Sequence, residues 1–95
     1  MDLPALAQRL PEAWQSRLLG ELGQARLKLA RMDEAPYPAE VHDHTEALLV
    51  LDGELRLRVG GTVRAVRAGE LCLVPAGLAH AVEAGSSGTL LIIDT

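Results

Sequence analysis

Two histidines and a glutamate alternate along one short stretch of the sequence. His42, His44 and Glu46 are each separated by a single residue. In an extended strand, residues two positions apart point to the same side, so these two imidazoles and one carboxylate would converge on one face. Imidazole suits zinc, copper, iron and nickel, and carboxylate suits manganese as well. The triplet therefore predicts a divalent-metal site, with a solvated polar strand face as the alternative.

A second informative stretch runs from Gly69 to His80 and contains an apolar strand between turn-forming residues. Gly69 allows the turn before the strand, Pro75 ends it, and Gly77 relaxes the following turn. At these positions the sequence resembles the second motif of the cupin superfamily, and the spacing is unaltered from Gly69 to His80. The match fails only at the last motif position, where Ala84 stands in place of an asparagine.

The first cupin motif is also present in a shortened form. It consists of a His-x-His pair, then a glutamate, and then a glycine. His42 and His44 match the pair, and Glu46 precedes Gly53 with six residues between them. Only Thr45 separates the pair from the glutamate, so the usual intervening segment is shorter here.

The resemblance implies a metal ion inside a β-barrel. Its ligands would be His42, His44, Glu46 and His80, and the ion would be a divalent transition metal: Zn, Fe, Mn, Ni or Cu. A barrel interior is mostly apolar, so such a set of polar side chains is costly there unless it is satisfied. A second register replaces His44 by Glu40, because Glu40, His42 and Glu46 also reproduce the family spacing. We favour His44, since imidazole is the commoner first ligand in the family.

Two classes of function fit such a site, and the sequence does not identify catalytic residues. The first is a metalloenzyme, a dioxygenase, isomerase or lyase that acts on a small molecule at a coordination position left open by the protein. The second is a non-catalytic module that senses a metal or a small molecule. We therefore predict a small metal-binding cupin that can bind a small polar ligand, with its activity unassigned.

The rest of the sequence predicts one all-β domain over residues 1–95. Residues 1–13 contain a short helical segment that should pack on the barrel, since Asp2 can cap it and Pro11 ends it. The predicted strands and extended segments are 17–22, 25–32, 40–51, 54–59, 62–67, 71–74, 80–84 and 89–93, with a loop at 33–39 and a turn at Asp52-Gly53. Many short strands closed by Gly or Pro favour a small antiparallel β-barrel or jelly roll.

Four basic residues alternate with apolar residues on two predicted strands. Arg26 and Lys28 lie on one strand, and Arg56 and Arg58 lie on another. We expect these side chains to face solvent; the alternative is that one of them binds a carboxylate ligand at the barrel mouth. Trp14 is expected to seal one end of the barrel, where its indole N–H would need a partner if buried.

Composition limits the possible partners. The chain has 95 residues, a formal charge of −4 and 48% hydrophobic residues, without a cluster of Lys or Arg. We therefore expect no nucleic-acid partner and no membrane span, and the cytoplasm is the default location. Cys72 is the only cysteine and is predicted to be a buried thiol. The apolar content predicts a homodimer that associates through the outward faces of the N-terminal strands.

Overall fold

A computed structural model that describes residues 1–95 contains one short helix and eight strands. The elements are α1 (Leu3–Gln8), β1 (Arg17–Leu22), β2 (Ala25–Met32), β3 (Tyr37–Glu40), β4 (Glu46–Val59), β5 (Thr62–Arg67), β6 (Leu71–Val74), β7 (His80–Val82) and β8 (Ser87–Asp94). All strand pairs are antiparallel, and the main strand order is β1-β2-β8-β4-β7-β3. The predicted all-β, antiparallel barrel with a short N-terminal helix is confirmed.

Strand β4 is the longest strand and belongs to both walls of the barrel. Its first half pairs with β6 and β8, and its second half pairs with β5 and β7. Between the halves, the register with β8 shifts between Val50 and Asp52, and Gly53 has a φ of +78°. The predicted turn at Asp52-Gly53 is therefore wrong. The extra residue forms a bulge, which bends the strand without ending it.

Aliphatic side chains fill one end of the barrel interior. Leu48 and Val50 of β4 face Leu55 and Leu57 from the second half of the same strand, together with Leu90 of β8, and all five are almost inaccessible to solvent. Burial of such side chains is worth roughly 1.5–3 kcal/mol each relative to exposure. The registers of β2, β8 and β4 place polar side chains further along the same inner faces, at the other end of the barrel.

The segment that carries His42 and His44 is not a strand. Strand β3 ends at Glu40, β4 begins at Glu46, and the intervening residues bend at positions 43 and 44. The predicted extended segment 40–51 is therefore confirmed for 46–51, which lie in β4, and wrong for 41–45, so strand alternation is not what orients these side chains. The backbone N–H of Gly77 donates a hydrogen bond to the carbonyl oxygen of His42, 2.8 Å away. This bond ties the segment to the turn that precedes His80.

Further boundaries differ from the prediction, since the predicted strands 80–84 and 89–93 correspond to β7 (His80–Val82) and β8 (Ser87–Asp94). The predicted loop 33–39 includes the start of β3, whose Pro38 is tolerated because β3 lies at the end of the strand order and has a free edge. Helix α1 is short; Asp2 caps it by accepting a hydrogen bond from the Ala5 N–H at 3.1 Å, and Ala7 is buried beside β2 and β8. No helix in the structure is long and apolar enough to cross a membrane.

Replacing Gly53 by alanine should destabilise the protein strongly. A Cβ at Gly53 would lie 2.0 Å from the Ser87 carbonyl oxygen, and the residue would be held at a positive φ. We expect a loss of about 2–4 kcal/mol in the free energy of unfolding, measured by urea denaturation.

Two control glycines distinguish the steric clash with Ser87 from the strain of a positive φ. Gly69 also has a positive φ but open space around it, so Gly69→Ala should cost only about 1–2 kcal/mol. Gly20 has neither feature, so Gly20→Ala should have little effect. Equal losses for the Gly53 and Gly69 variants would contradict the steric explanation.

Candidate metal centre

The polar end of the barrel contains a half-open cavity of about 360 Å³. This volume lies at the lower end of the range for small-molecule sites. The polar and charged lining includes His42, His44, His80, Glu40, Glu46, Asp94, Arg26 and Lys28. All four predicted ligands and the alternative ligand Glu40 therefore meet at one cavity, although they come from four different parts of the chain.

The three histidine rings lie close together, and two of them carry an unsatisfied nitrogen. The ring centroids of His42 and His44 are 5.2 Å apart, as are those of His42 and His80. The Nε2 atoms of His42 and His44 are buried without a hydrogen-bond partner. Glu40 Oε2 lies 3.2 Å from His42 Nε2, but the pair is not aligned as a hydrogen bond. A buried polar atom without a partner is costly, and a metal ion would satisfy both nitrogens.

The Nδ1 atoms of His44 and His80 each lie near a hydrogen-bond acceptor. His44 Nδ1 is 3.1 Å from Asp43 Oδ1, and His80 Nδ1 is 3.4 Å from the carbonyl oxygen of Leu78. A proton held on Nδ1 leaves the lone pair on Nε2 free. Metal-binding histidines commonly have such an acceptor at the non-ligating nitrogen. The surroundings of His44 and His80 therefore favour Nε2 as the ligating atom.

Glu46 lies between the histidines. Its Oε1 is 3.5 Å from His80 Nε2, and its Oε2 is 3.9 Å from His42 Nε2. The potential ligand atoms form two groups, each within 4.8 Å: Glu40, His42 and His80, and His44, Glu46 and Asp94. The side chain of Glu40 is 42% exposed, whereas that of His80 is 8% exposed. Both alternative ligands, Glu40 and His44, thus reach the cavity, but in different groups, Glu40 with His42 and His80, and His44 with Glu46 and Asp94.

Asp94 is a site residue that the sequence analysis missed. Its side chain is only 5% exposed, and it forms ion pairs with Arg26 Nε at 3.1 Å and with Lys28 Nζ at 2.8 Å. Burial by itself raises the pKa of Asp94, but the hydrogen bond from Lys28 and the positive charges of Lys28 and Arg26 outweigh burial and hold the pKa below its usual range. Alternation could not reveal it, because Asp94 follows the run Thr89–Ile93, in which Leu90 to Ile93 are all apolar.

Arg26 and Lys28 lie on the inner face of the sheet, so the expectation of a fully solvated strand face is wrong for them, although the side chain of Arg26 is still 42% exposed and that of Lys28 23% exposed. Both side chains line the cavity. The register of β2 with β8 pairs Arg26 with Asp94 and Lys28 with Ile92, so these residues share the inner face of the sheet. Arg56 and Arg58 are exposed, as expected, and pair with acidic side chains on the outer surface.

Trp14 is fixed at the wall of the same cavity. Its indole N–H donates to Asp33 Oδ1 at 3.0 Å, which is the partner that a partly buried tryptophan requires. Its backbone N–H donates to the carbonyl oxygen of Arg31 at 2.8 Å, and its ring centroid lies 6.1 Å from that of Tyr37. Because Trp14 is the only tryptophan, its fluorescence reports on this cavity alone.

Comparisons with known proteins agree with this architecture. The family model described as "Cupin domain" matches residues 31–95. Comparison with the curated proteins gives no match. A crystal structure of a cupin-2 domain-containing protein from Shewanella frigidimarina is similar, with a TM-score of 0.88 and 21% identity over 98% of this chain and 91% of that one. The protein TT1209 from Thermus thermophilus has a TM-score of 0.81 and 25% identity over 100% of this chain and 94% of that one.

Replacing Asp94 by asparagine should make the fold less sensitive to acid. The pKa of Asp94 is lower in the folded protein than in the unfolded chain. Its ion pairs therefore stabilise the fold fully above the unfolded pKa of about 3.9 and are lost as the pH falls through the folded pKa. At pH 7, Asp94→Asn should lower the free energy of unfolding by about 1–3 kcal/mol.

The measurement is urea denaturation of the metal-free protein at pH 7 and pH 3. Wild type should lose more stability between the two pH values than Asp94→Asn. Glu21→Gln removes a carboxylate from an exposed position and should behave like wild type. Identical pH dependence of wild type and Asp94→Asn would contradict the assignment.

Proposed function

We propose that this chain, which belongs to the cupin family, binds one divalent transition-metal ion at the polar end of its barrel and a small polar ligand beside it. The observation that carries the proposal is the pair of buried Nε2 atoms of His42 and His44 that have no partner within the protein. The proposed ligands are His42, His44, Glu46 and His80. Three imidazoles and one carboxylate suit divalent transition metals rather than calcium or magnesium.

The protein's own groups would orient the ligand and keep water from it. Leu55, Leu57 and Ile92 form part of the apolar wall of the cavity, while Trp14 and Tyr37 line another part of it. A bound divalent ion would supply Lewis-acid polarisation of a ligand oxygen. The cavity therefore combines an apolar wall with a few convergent polar groups, as is typical of small-molecule sites.

A metalloenzyme, such as a dioxygenase, isomerase or lyase, is the second candidate. Glu40 supports it, because this carboxylate lies outside the preferred ligand set, is partly exposed and lines the cavity. From that position it could accept a proton from a bound ligand. Elemental analysis of the purified protein separates the candidates, since retained iron or copper would favour an enzyme and zinc would favour a sensor or binding module.

The ligand set is tested by zinc affinity, measured by competition with a chelating dye. His80→Ala and His44→Ala should each weaken zinc binding by roughly 100-fold, because the remaining groups cannot complete the coordination shell. Glu40→Gln, the matched control, should change affinity by less than about threefold, and circular dichroism should show that all variants fold.

Two results would overturn this assignment. Unchanged zinc affinity in His80→Ala would show that the site is wrong. A strong effect of Glu40→Gln with a weak effect of His44→Ala would establish the alternative register, in which Glu40 replaces His44.

The protein should also form a homodimer. Leu71 and Leu73 of β6 are 57% and 60% exposed, and they pair with Leu49 and Ala47 on the outer face of β4. An uncharged apolar face is complementary to a second copy of itself, which is how twofold interfaces form. We therefore propose an interface on β6 and β4, with the predicted face of the N-terminal strands, where Leu18 and Leu22 of β1 are also exposed, as the alternative.

Sedimentation equilibrium at micromolar concentration should give twice the 10.1 kDa chain mass. Leu73→Glu should weaken the dimer at least tenfold, because a charge would be buried in the interface. Val63→Glu, at an exposed valine on β5, should leave it intact. A monomeric wild type would contradict the proposal.

A further inference from the structure

We infer that Arg26 and Lys28 bind a carboxylate group of the small ligand, so that the ligand is a small organic acid held between these two cations and the metal centre. The inference specifies the chemistry of the ligand in the proposed function and rests on that proposal only for the contribution of the metal. Two basic side chains on the inner face of β2 line the cavity, and they are only partly exposed to solvent, Arg26 by 42% and Lys28 by 23%.

Both cations retain donors that the protein does not use. Arg26 donates through Nε to Asp94 Oδ1 and through Nη2 to the carbonyl oxygen of Thr95, at 3.1 and 3.4 Å. Its Nη1 makes no hydrogen bond, and Lys28 Nζ makes only one, to Asp94 Oδ2 at 2.8 Å. Arginine has five N–H donors and an ammonium has three. Since both side chains line the cavity, the unused donors are available to a bound group.

Asp94 shows that the pair fits a carboxylate. Its two oxygens are divided between the cations, one on Arg26 and the other on Lys28. This is the two-point recognition that a planar carboxylate allows. Asp94 neutralises only one of the two positive charges, so the pair retains one positive charge for a ligand.

The charges of the whole cavity make anion binding dependent on the metal. The lining contains two cations, Arg26 and Lys28, and three carboxylates, Glu40, Glu46 and Asp94. With neutral histidines, the formal charge of the lining is about −1, and a divalent ion changes it to about +1. The metal-free cavity should therefore repel an anion, and the loaded cavity should attract one.

The distances limit the size of the acid. Asp94 Oδ2 lies 2.8 Å from Lys28 Nζ and 3.9 Å from His44 Nε2. One carboxylate oxygen thus spans the gap between the ammonium group and a proposed metal ligand. We therefore expect a short acid, in which a second oxygen atom lies only one to three carbons from the carboxylate. Its carboxylate could contact Lys28 while the second oxygen contacts the metal ion, and the molecule would fit a cavity of about 360 Å³. Malonate is such an acid, and malonamide is its neutral counterpart.

The test is titration of the zinc-loaded protein with malonate, followed by the fluorescence of Trp14. Malonate should change the fluorescence saturably, whereas malonamide should not. Arg26→Gln and Lys28→Gln should each weaken malonate binding at least about tenfold, since each removes charge-assisted hydrogen bonds. Arg17→Gln removes an exposed positive charge from the neighbouring strand β1 and should stay within about twofold of wild type.

A metal-free arm tests the carboxylate site separately from the metal. Asp94→Asn removes one negative charge from the lining but keeps an oxygen that can accept a hydrogen bond. Without metal, Asp94→Asn should bind malonate about tenfold more tightly than metal-free wild type. Adding Lys28→Gln to this variant should abolish the gain. If Arg26→Gln does not fold, the carboxylate site is still tested by Lys28→Gln, and by Asp94→Asn with and without Lys28→Gln.

The outcomes separate the two proposals. The content of Zn, Fe, Mn, Ni and Cu is measured for every variant, so a wild type that binds none of these metals would refute the proposed function while the metal-free arm still decides the carboxylate site. Unchanged malonate affinity in Arg26→Gln and Lys28→Gln would overturn the carboxylate site. Equal binding of malonamide, or tighter binding of inorganic phosphate than of malonate, would overturn the assignment to small organic acids.

Discussion

Charge balance inside the barrel is the constraint on which the rest of the site depends. A small β-barrel has an apolar interior, yet one end of this one holds three imidazoles, three carboxylates and two cations. Buried charges are tolerated only when they are paired or bind a metal. Asp94 satisfies this requirement through Arg26 and Lys28, whereas the Nε2 atoms of His42 and His44 remain without partners. At one side of the cavity the protein's own cations thus neutralise Asp94. At the other side a metal ion would bind the two unpartnered imidazole nitrogens.

The fold supports this arrangement through strand β4 and the segment that precedes it. Because β4 bends at a bulge, its first half carries Glu46 beside β8, and its second half pairs with β7, which carries His80. The irregular segment with His42 and His44 is tied to the turn before His80 by the hydrogen bond from Gly77. Residues distant in sequence therefore meet because one strand is shared by both walls.

The family and the individual chain contribute different parts of the site. The histidines and Glu46 lie in the two stretches of the sequence that resemble the family motifs, within the residues that the family model matches. Arg26, Lys28 and Asp94 lie outside those motifs, on β2 and β8. Since unrelated activities occur on one fold, the residues outside the motifs are where we expect the choice of ligand to be made.

The sequence by itself determined the fold class, most strand positions and the identity of the histidines and Glu46 as candidate ligands. Its strongest signals were local: Gly and Pro at turns, alternation in 25–32 and 54–59, and motif spacing. Only the tertiary structure decided which face of β2 is internal, because alternation shows that Arg26 and Lys28 share a face without showing which face meets the core. The same limit hid Asp94, whose partners are 66 and 68 residues away. Ion pairing between distant strands depends on register, and register is a property of the folded sheet.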